Sequence, residues 1–413
     1  MGFLRLGFAF LAMVPVAATA AEIAPGQEVV FGVEAGYVSM SGHTSWVDDG
    51  YGKLRYVDDG AVFSRAFLDY NGRLTDTLKA HLVLEAYDDG VGSAIDYTEA
   101  YLTWRPVPRS PTRFRVKAGT FYPRISLENT AAGWSSPYTL NSSAINTWVA
   151  EELRNTGVEL TISRRLANAQ TVSAQVSAFV GNDPAGSLLT WKGWSVHDRQ
   201  TRPSDDLPLP EVPQLVPPNG VFSHQDSYAE PLLELDDDIG YSVNLEWRIG
   251  KQLLVRAMHY NNRADPEVLE QGQYGWYTEF DHVGVQATLP GDIGVFMQWM
   301  DGVTFMGPWQ GQWYPADVGY TAKYAMLTRR FERHRATVRY DHFRVDDFDE
   351  LPLDNNNEKG HAWTLNYQFE VNDHVTFAVE WLSIKSNRPA WEYMGENASA
   401  TERQLQVFAR VNF

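Results

Sequence analysis

From about residue 28 to the carboxy terminus, this chain is written in short segments in which apolar and polar side chains take turns. Tyr241, Val243, Leu245, Trp247 and Ile249 alternate with Ser242, Asn244, Glu246 and Arg248. Trp363, Leu365, Tyr367 and Phe369 alternate with Thr364, Asn366 and Gln368. A period of two is the signature of a strand with one apolar and one polar face. The pattern predicts strands at 28–39, 61–72, 77–88, 95–105, 112–121, 155–164, 170–181, 238–249, 252–262, 278–289, 292–301, 317–328, 335–345, 359–370, 374–385 and 403–413.

The connectors alternate as well. Short turns at Leu74-Thr75-Asp76, Gly250-Lys251, Pro290-Gly291 and Val371-Asn372-Asp373 lie between longer links near 40–60, 122–154, 182–237, 263–277, 302–316, 346–358 and 386–402. A sheet in lipid can leave no edge unpaired and must close. The reading is therefore all-β: a transmembrane up-and-down antiparallel β-barrel of about sixteen strands, with short periplasmic turns and long extracellular loops. Tyr37, Tyr70, Tyr87, Trp104, Phe121, Trp247, Tyr260, Trp299, Tyr340, Phe343, Trp381 and Phe413 fall near strand ends and are expected to form aromatic girdles.

Residues 1–20 read as a secretory signal. Arg5 supplies the positive start, Leu6 to Val16 the apolar core, and Ala18-Thr19-Ala20 a cleavage site after Ala20. The mature 21–413 then forms a single barrel in the bacterial outer membrane. The last strand, Gln406 to Phe413, alternates and ends on Phe, which resembles the signal read by the barrel-assembly machinery. The chain has no cysteine, which excludes disulfides and thiolate metal sites.

The formal net charge is −18, and three candidate outer loops hold most of it: 40–60 carries −2, 182–237 carries −7 and 346–358 carries −6. The barrel wall is thus close to neutral. Asp236-Asp237-Asp238 and Asp346-Asp347 lack a glycine-punctuated calcium loop and are read as solvated loop charge, with no metal. Lipid and lipopolysaccharide are the expected surroundings, and no cofactor or nucleic-acid partner is expected.

A charge facing lipid at mid-depth costs several kcal/mol, so charged residues on the strands are assigned to the lumen. Arg113, Arg115 and Lys117, Arg335 and Arg339, Arg65, Glu246 and Arg248 are the candidate pore-lining residues. Lys79, His81, Glu85, Glu99, Glu159, Arg256, Lys323, Asp341, Glu380 and Arg410 share those polar faces. Segment 122–154 is the candidate constriction loop, with Arg124, Glu128, Glu151, Glu152 and Arg154. Folded inward, it would set Glu128, Glu151 and Glu152 against the Arg113/Arg115/Lys117 row, in a transverse field. Selection of solutes and bracing of the wall are both open to these charges.

Glu99-Ala100-Tyr101-Leu102-Thr103-Trp104, then Arg115-Val116-Lys117-Ala118-Gly119-Thr120-Phe121, then Asn155-Thr156-Gly157-Val158-Glu159 resemble the porin superfamily that includes the phosphate-selective porins O and P. The resemblance is clearest over 95–160. It implies a sixteen-stranded homotrimeric channel with an infolded loop. The phosphate-selective members line the pore with arginines and lysines, whereas this chain mixes acids with bases on its inward faces. The expected function is a water-filled channel for passive diffusion of small hydrophilic solutes or ions, with mild charge selectivity. The alternatives are a phosphate-type anion channel, or a surface binding or adhesion barrel using 182–237. That segment is rich in proline (Pro203, Pro208, Pro210, Pro213, Pro217, Pro218), acidic, and expected to be extended or mobile outside the barrel.

Catalysis is not expected. Asp281-His282 and Asp341-His342 are sequence neighbours, and neighbours in a strand point to opposite faces. The chain carries no Gly-x-Ser-x-Gly and no His-Glu-x-x-His.

Overall fold

The computed structural model describes residues 21–218 and 220–413; the signal read at 1–20 lies outside the described residues. Among the described residues, sixteen antiparallel strands form the closed barrel, and a short strand, Ala21–Ala24, pairs with the start of the first of them. They are β1 Gln27–Ser41, β2 Gly60–Arg73, β3 Leu78–Ala86, β4 Ile95–Trp104, β5 Thr112–Phe121, β6 Asn155–Arg165, β7 Gln170–Val180 and β8 Gly240–Ile249. The second half is β9 Leu253–Asn261, β10 Tyr277–Leu289, β11 Ile293–Met306, β12 Ala316–Phe331, β13 His334–Asp347, β14 Glu358–Glu370, β15 Val375–Asn387 and β16 Ser399–Asn412. Each strand pairs with its chain neighbour, and β1 pairs with β16 from Gly32↔Asn412 to Ser41↔Arg403, which closes the sheet. All sixteen segments read from the alternation are strands, several of them longer than expected at the long-loop end.

One end of the barrel carries short turns (74–77, 105–111, 166–169, 250–252, 290–292, 332–333 and 371–374) and the other carries long loops. The outer wall is apolar where the pattern requires it. Leu160, Ile162, Val243, Leu245, Trp247, Leu365, Phe377, Val379, Leu405 and Val407 all stand exposed on it. Among the expected girdle residues, Tyr37, Trp104, Trp247, Trp299, Trp381 and Phe413 are exposed on the outside. Tyr87, Phe121, Tyr260 and Phe343 are corrections: they point inward and are buried. Their parity puts them on the inner face, where other parts of the chain cover them.

What fills it is loop. The third loop (122–154) and the first part of the fourth (181–239) fold into the lumen and build an apolar core against the inner face of β9–β14. Helix α1, Ala144–Glu152, is buried along its whole length. Its Ser143 hydroxyl accepts from the Asn146 N–H at 3.3 Å, an N-cap, and the Asp341 carboxylate accepts from the Ala144 N–H at 3.1 Å. Both satisfy donors that a helix start leaves free. Trp148 on α1 packs edge-on against Phe280 of β10, with ring centroids 5.5 Å apart, and against Tyr320 of β12 at 5.2 Å. Helix α2, Ser187–Trp191, follows in the fourth loop and is also buried.

The expectation of an extended or mobile fourth loop is corrected too. Residues 183–202 lie inside the barrel, and the remainder folds over its mouth, where Leu207, Leu209, Val212 and Phe222 pack with Trp191 and Trp276. Its prolines break helix and strand but do not prevent burial of Leu and Trp side chains between them.

Candidate functional site

Two arrangements occupy the lumen: a plate of loop fixed to the wall, and a charged cleft beneath it on the short-turn side.

The third loop is the plate, and the wall holds it around the circumference. Arg339 of β13 is fully buried. Its guanidinium pairs with Glu128 at 3.1 Å and Asp341 at 2.9 Å, and donates to the carbonyls of Asn141 (2.9 Å) and Ser142 (2.7 Å). Glu380 of β15 accepts the N–H groups of Leu140 (2.7 Å) and Asn141 (2.9 Å). Arg65 of β2 pairs with Glu34 (2.9 Å) and Glu85 (3.1 Å) and donates to the Gly133 carbonyl at 3.1 Å. Arg410 of β16 donates to the carbonyls of Ser136 (2.9 Å) and Thr139 (3.1 Å). On the opposite side, Arg256 donates to the carbonyls of Ile125 and Ser126, and Gln298 accepts from the Leu127 N–H at 3.0 Å. A loop has backbone groups with no ladder partner, and buried ones must be satisfied by side chains. Here the strand side chains do so.

The fourth loop is locked above the plate. Glu151 pairs with Lys192 and with His197 at 2.7 Å. Burial alone would raise the Glu151 carboxyl, but Lys192 and His197 hold it at about 2. Glu152 accepts the N–H groups of Gly186 (3.0 Å) and Leu188 (2.9 Å) at the start of α2, and burial without a cation pushes it up to about 7. Gly186 has φ +115°, and a Cβ there would sit 2.1 Å from Thr304 Oγ1. Only glycine lets the chain approach the wall this closely. Lys53 pairs with Glu358 and donates to the Trp194 carbonyl at 2.8 Å. Arg55, Arg199 and Arg202 stack around Tyr87 at 4.9–5.0 Å and pair with Asp198, Asp89 and Asp205.

Below the plate lies a cleft of about 380 Å³ lined by Glu99, Arg115, Lys117, Arg124, Arg248 and Arg256, with Tyr122, Asn129, Trp134 and Gln286. Arg115 pairs with Glu159 at 3.0 Å and bonds Thr161 at 3.0 Å, but about a third of its side chain remains exposed. Glu246 gathers Arg256 (3.0 Å), Arg124 (3.1 Å) and Arg248 (3.3 Å). Lys117 rests over the rings of Phe121 (4.4 Å) and Tyr101 (4.7 Å). Five bases thus face three acids (Glu99, Glu159, Glu246), and the cleft carries an excess of positive charge.

The residues named from the sequence divide between these arrangements. Arg115, Lys117, Arg124, Glu246 and Arg248 meet in the cleft, and Arg113 lies near it by the short-turn rim, beside Arg105 and Lys79. Arg65 and Arg339 instead brace the plate, and Arg335 stacks on Tyr138 at 5.1 Å. The expected opposition of Glu128, Glu151 and Glu152 to the Arg113/Arg115/Lys117 row is a correction. Each of the three acids is buried and bonded elsewhere, Glu128 to Arg339, Glu151 to Lys192 and His197, and Glu152 to α2. Arg154 stacks 3.3 Å from the Tyr122 ring and donates to the Thr201 carbonyl at 2.8 Å. Lys323 is a further correction: it faces outward, because Tyr324 and Met326 take the inner side of β12. The missed signal was the double-sided apolarity of β11 and β12. Phe296, Met300, Tyr324 and Met326 face inward while Val295, Met297, Trp299, Ala325 and Leu327 beside them face outward, and a strand apolar on both faces is packed on both.

No protein-family model and no curated protein matches the chain. Its structure is similar to solved outer-membrane barrels. The outer membrane channel DcaP of Acinetobacter baumannii shares 13% identity at a TM-score of 0.55, over 96% of this chain and 100% of that one. The anion-selective porin from Comamonas acidovorans shares 11% at 0.52, over 94% and 99%. A loop-deletion mutant of OmpT, an outer membrane protein of Vibrio cholerae, shares 10% at 0.51, over 94% and 100%. At these identities the likeness is one of fold.

Proposed function

We propose that this protein is an outer-membrane channel for passive diffusion of small hydrophilic solutes, with a preference for anions. The closed sheet with its apolar outer wall supports a place in a membrane, since it leaves no backbone edge to lipid. The long loops then face the outside and the short turns the periplasm. The observation that carries the anion preference is the cleft: five cationic groups against three carboxylates, in a confined space where water screens them weakly. A carboxylate or phosphate entering from either side meets Arg115, Arg124 and Arg248, whose side chains are all partly exposed. Mixed acids hold the potential below that of an arginine ladder, which favours a broad anion preference over a phosphate-specific one.

Because the third and fourth loops pack the lumen above the cleft, the same reading makes the channel gated. Solute crosses when the locked loops yield. Planar-bilayer recording tests both parts. The expected result is a small conductance with a reversal potential on the anion side in asymmetric salt. A cation-side reversal potential unaffected by Arg115→Ala and Arg248→Ala would overturn the preference, and the absence of any current under all conditions would overturn the channel.

A further inference from the structure

The outward Lys323 belongs to a wider feature. The strand registers align Lys323 of β12 with His342 of β13, His342 with His361 of β14, and His361 with Lys385 of β15. All four stand on the outer face. Neighbouring strands lie about 4.8 Å apart, so four basic side chains span roughly 15 Å at one level of the barrel. One row toward the long loops, Arg344 and Lys359 are adjacent across β13 and β14. One row the other way lies Arg403, beyond Ser383. Of the carboxylates facing this patch, Asp346 pairs with Arg344, and Asp301, at its β11 edge, accepts from Thr321 at 2.7 Å. The four-residue row itself contains no acid.

Directly beneath Lys323 lies an apolar groove of about 380 Å³ in the outer wall, lined by Val283, Val285, Met297, Trp299, Ala325 and Tyr340. Its floor is the register row Val285–Met297–Ala325–Tyr340, where the small Ala325 leaves a slot between larger side chains. Tyr340 and Trp363, side by side with tilted rings and centroids 4.8 Å apart, mark the aromatic level just below the basic row. Aromatic rings of this kind sit at the headgroup boundary.

We infer that this face binds a lipid with a phosphorylated headgroup in the outer leaflet, its phosphates on the Lys323–His342–His361–Lys385 row and an acyl chain in the groove over Ala325. The inference rests on the membrane location proposed above. Charge complementarity selects a phosphate, and the groove selects an acylated ligand over a free anion. Uncompensated lysines on a lipid-facing wall are costly at depth and tolerable where anionic headgroups meet them.

The test is native mass spectrometry of the full-length barrel released from detergent with bisphosphorylated lipid A, its dephosphorylated counterpart, or inorganic phosphate. The wild type is expected to retain the bisphosphorylated lipid roughly tenfold better than the dephosphorylated one. Lys323→Gln with Lys385→Gln should remove most of that difference, with heat-resistant gel mobility confirming a folded barrel. Ala325→Trp, which fills the groove, should weaken retention of both lipids. Equal retention by wild type and the double lysine variant overturns the inference. So does a shift in oligomeric state with lipid retention unchanged, which would make the face a contact between copies. Tight capture of inorganic phosphate alone also overturns it. Current recorded on the same variants separates the two readings: lost lipid with unchanged current upholds this inference and leaves the channel proposal standing.

Discussion

Arg339 of β13 and Glu128 of the third loop meet at 3.1 Å with neither side chain open to solvent. The contact joins the barrel wall to the loop that fills it, and Asp341 and Thr364 complete the guanidinium's partners from the strands. Replacing Arg339 with Ala strands two carboxylates in a buried site, which costs about 3–5 kcal/mol. Arg339→Ala should lower the unfolding temperature in a heat-modifiability assay and raise single-channel conductance as the plate loosens. Unchanged values for both would remove Arg339 from its bracing role.

Trp148 is the apolar counterpart of that lock. It is buried between Phe280, Tyr320 and Trp194. Trp148→Ala should cost about 3–5 kcal/mol of loop docking through lost burial and the cavity left behind. Recording should then show larger and noisier openings, while the circular dichroism of the barrel stays constant.

The cleft makes an ordered prediction about charge. Arg115→Ala and Arg248→Ala should each reduce the anion-to-cation permeability ratio, and Glu246→Gln should increase it, because Glu246 offsets three cations. Reversal potentials in asymmetric potassium chloride read all three. A shift in the opposite direction for Glu246→Gln would show that the cleft does not set the preference.

Acidity should tighten the long-loop end. Burial, with Asp347 adding to it, raises Asp349 to about 8, and burial raises Asp354 and Glu152 to about 7. A carboxyl with a raised folded value binds its proton more tightly in the folded state. Its penalty is absent below the ordinary carboxylate range and grows as pH rises toward 7–8. Loop stability should therefore increase as pH falls from about 8 to about 5. The Glu151 contribution runs the other way but is lost only as pH falls from about 4.5 through about 2. His197, held below the ordinary imidazole range by burial, opposes the gain of the fourth loop as pH falls through that range. Limited proteolysis of the seventh loop (348–357) at pH 8.5 and 5.5 should show protection at the lower pH. Asp349→Asn should flatten that difference, and a steeper profile would contradict the assignment.

Gly186 and Gly250 offer a paired test. Both have positive φ, but a Cβ at Gly186 meets Thr304, whereas at Gly250 it meets nothing within 4 Å. Gly186→Ala should increase protease sensitivity of the fourth loop, and Gly250→Ala should cost only about 1 kcal/mol of backbone strain.

The barrel was legible in the residue order, and the contents of its lumen were not. Alternation is a local property: the period of two at Tyr241–Ile249 or Trp363–Phe369 follows from each strand having one face in an apolar phase, whatever lies on the other. The alternating turns and loops follow equally locally from a meandering chain. Whether Glu128 faces Arg115 or Arg339 depends on the path of a 33-residue loop across the barrel. That path is set by contacts 200 residues apart in the chain, which no local pattern encodes. The same holds for Tyr260 and Phe343, whose parity was readable but whose surroundings were not. Only the folded loops, by packing against it, make the inner wall of β9–β14 a second apolar core.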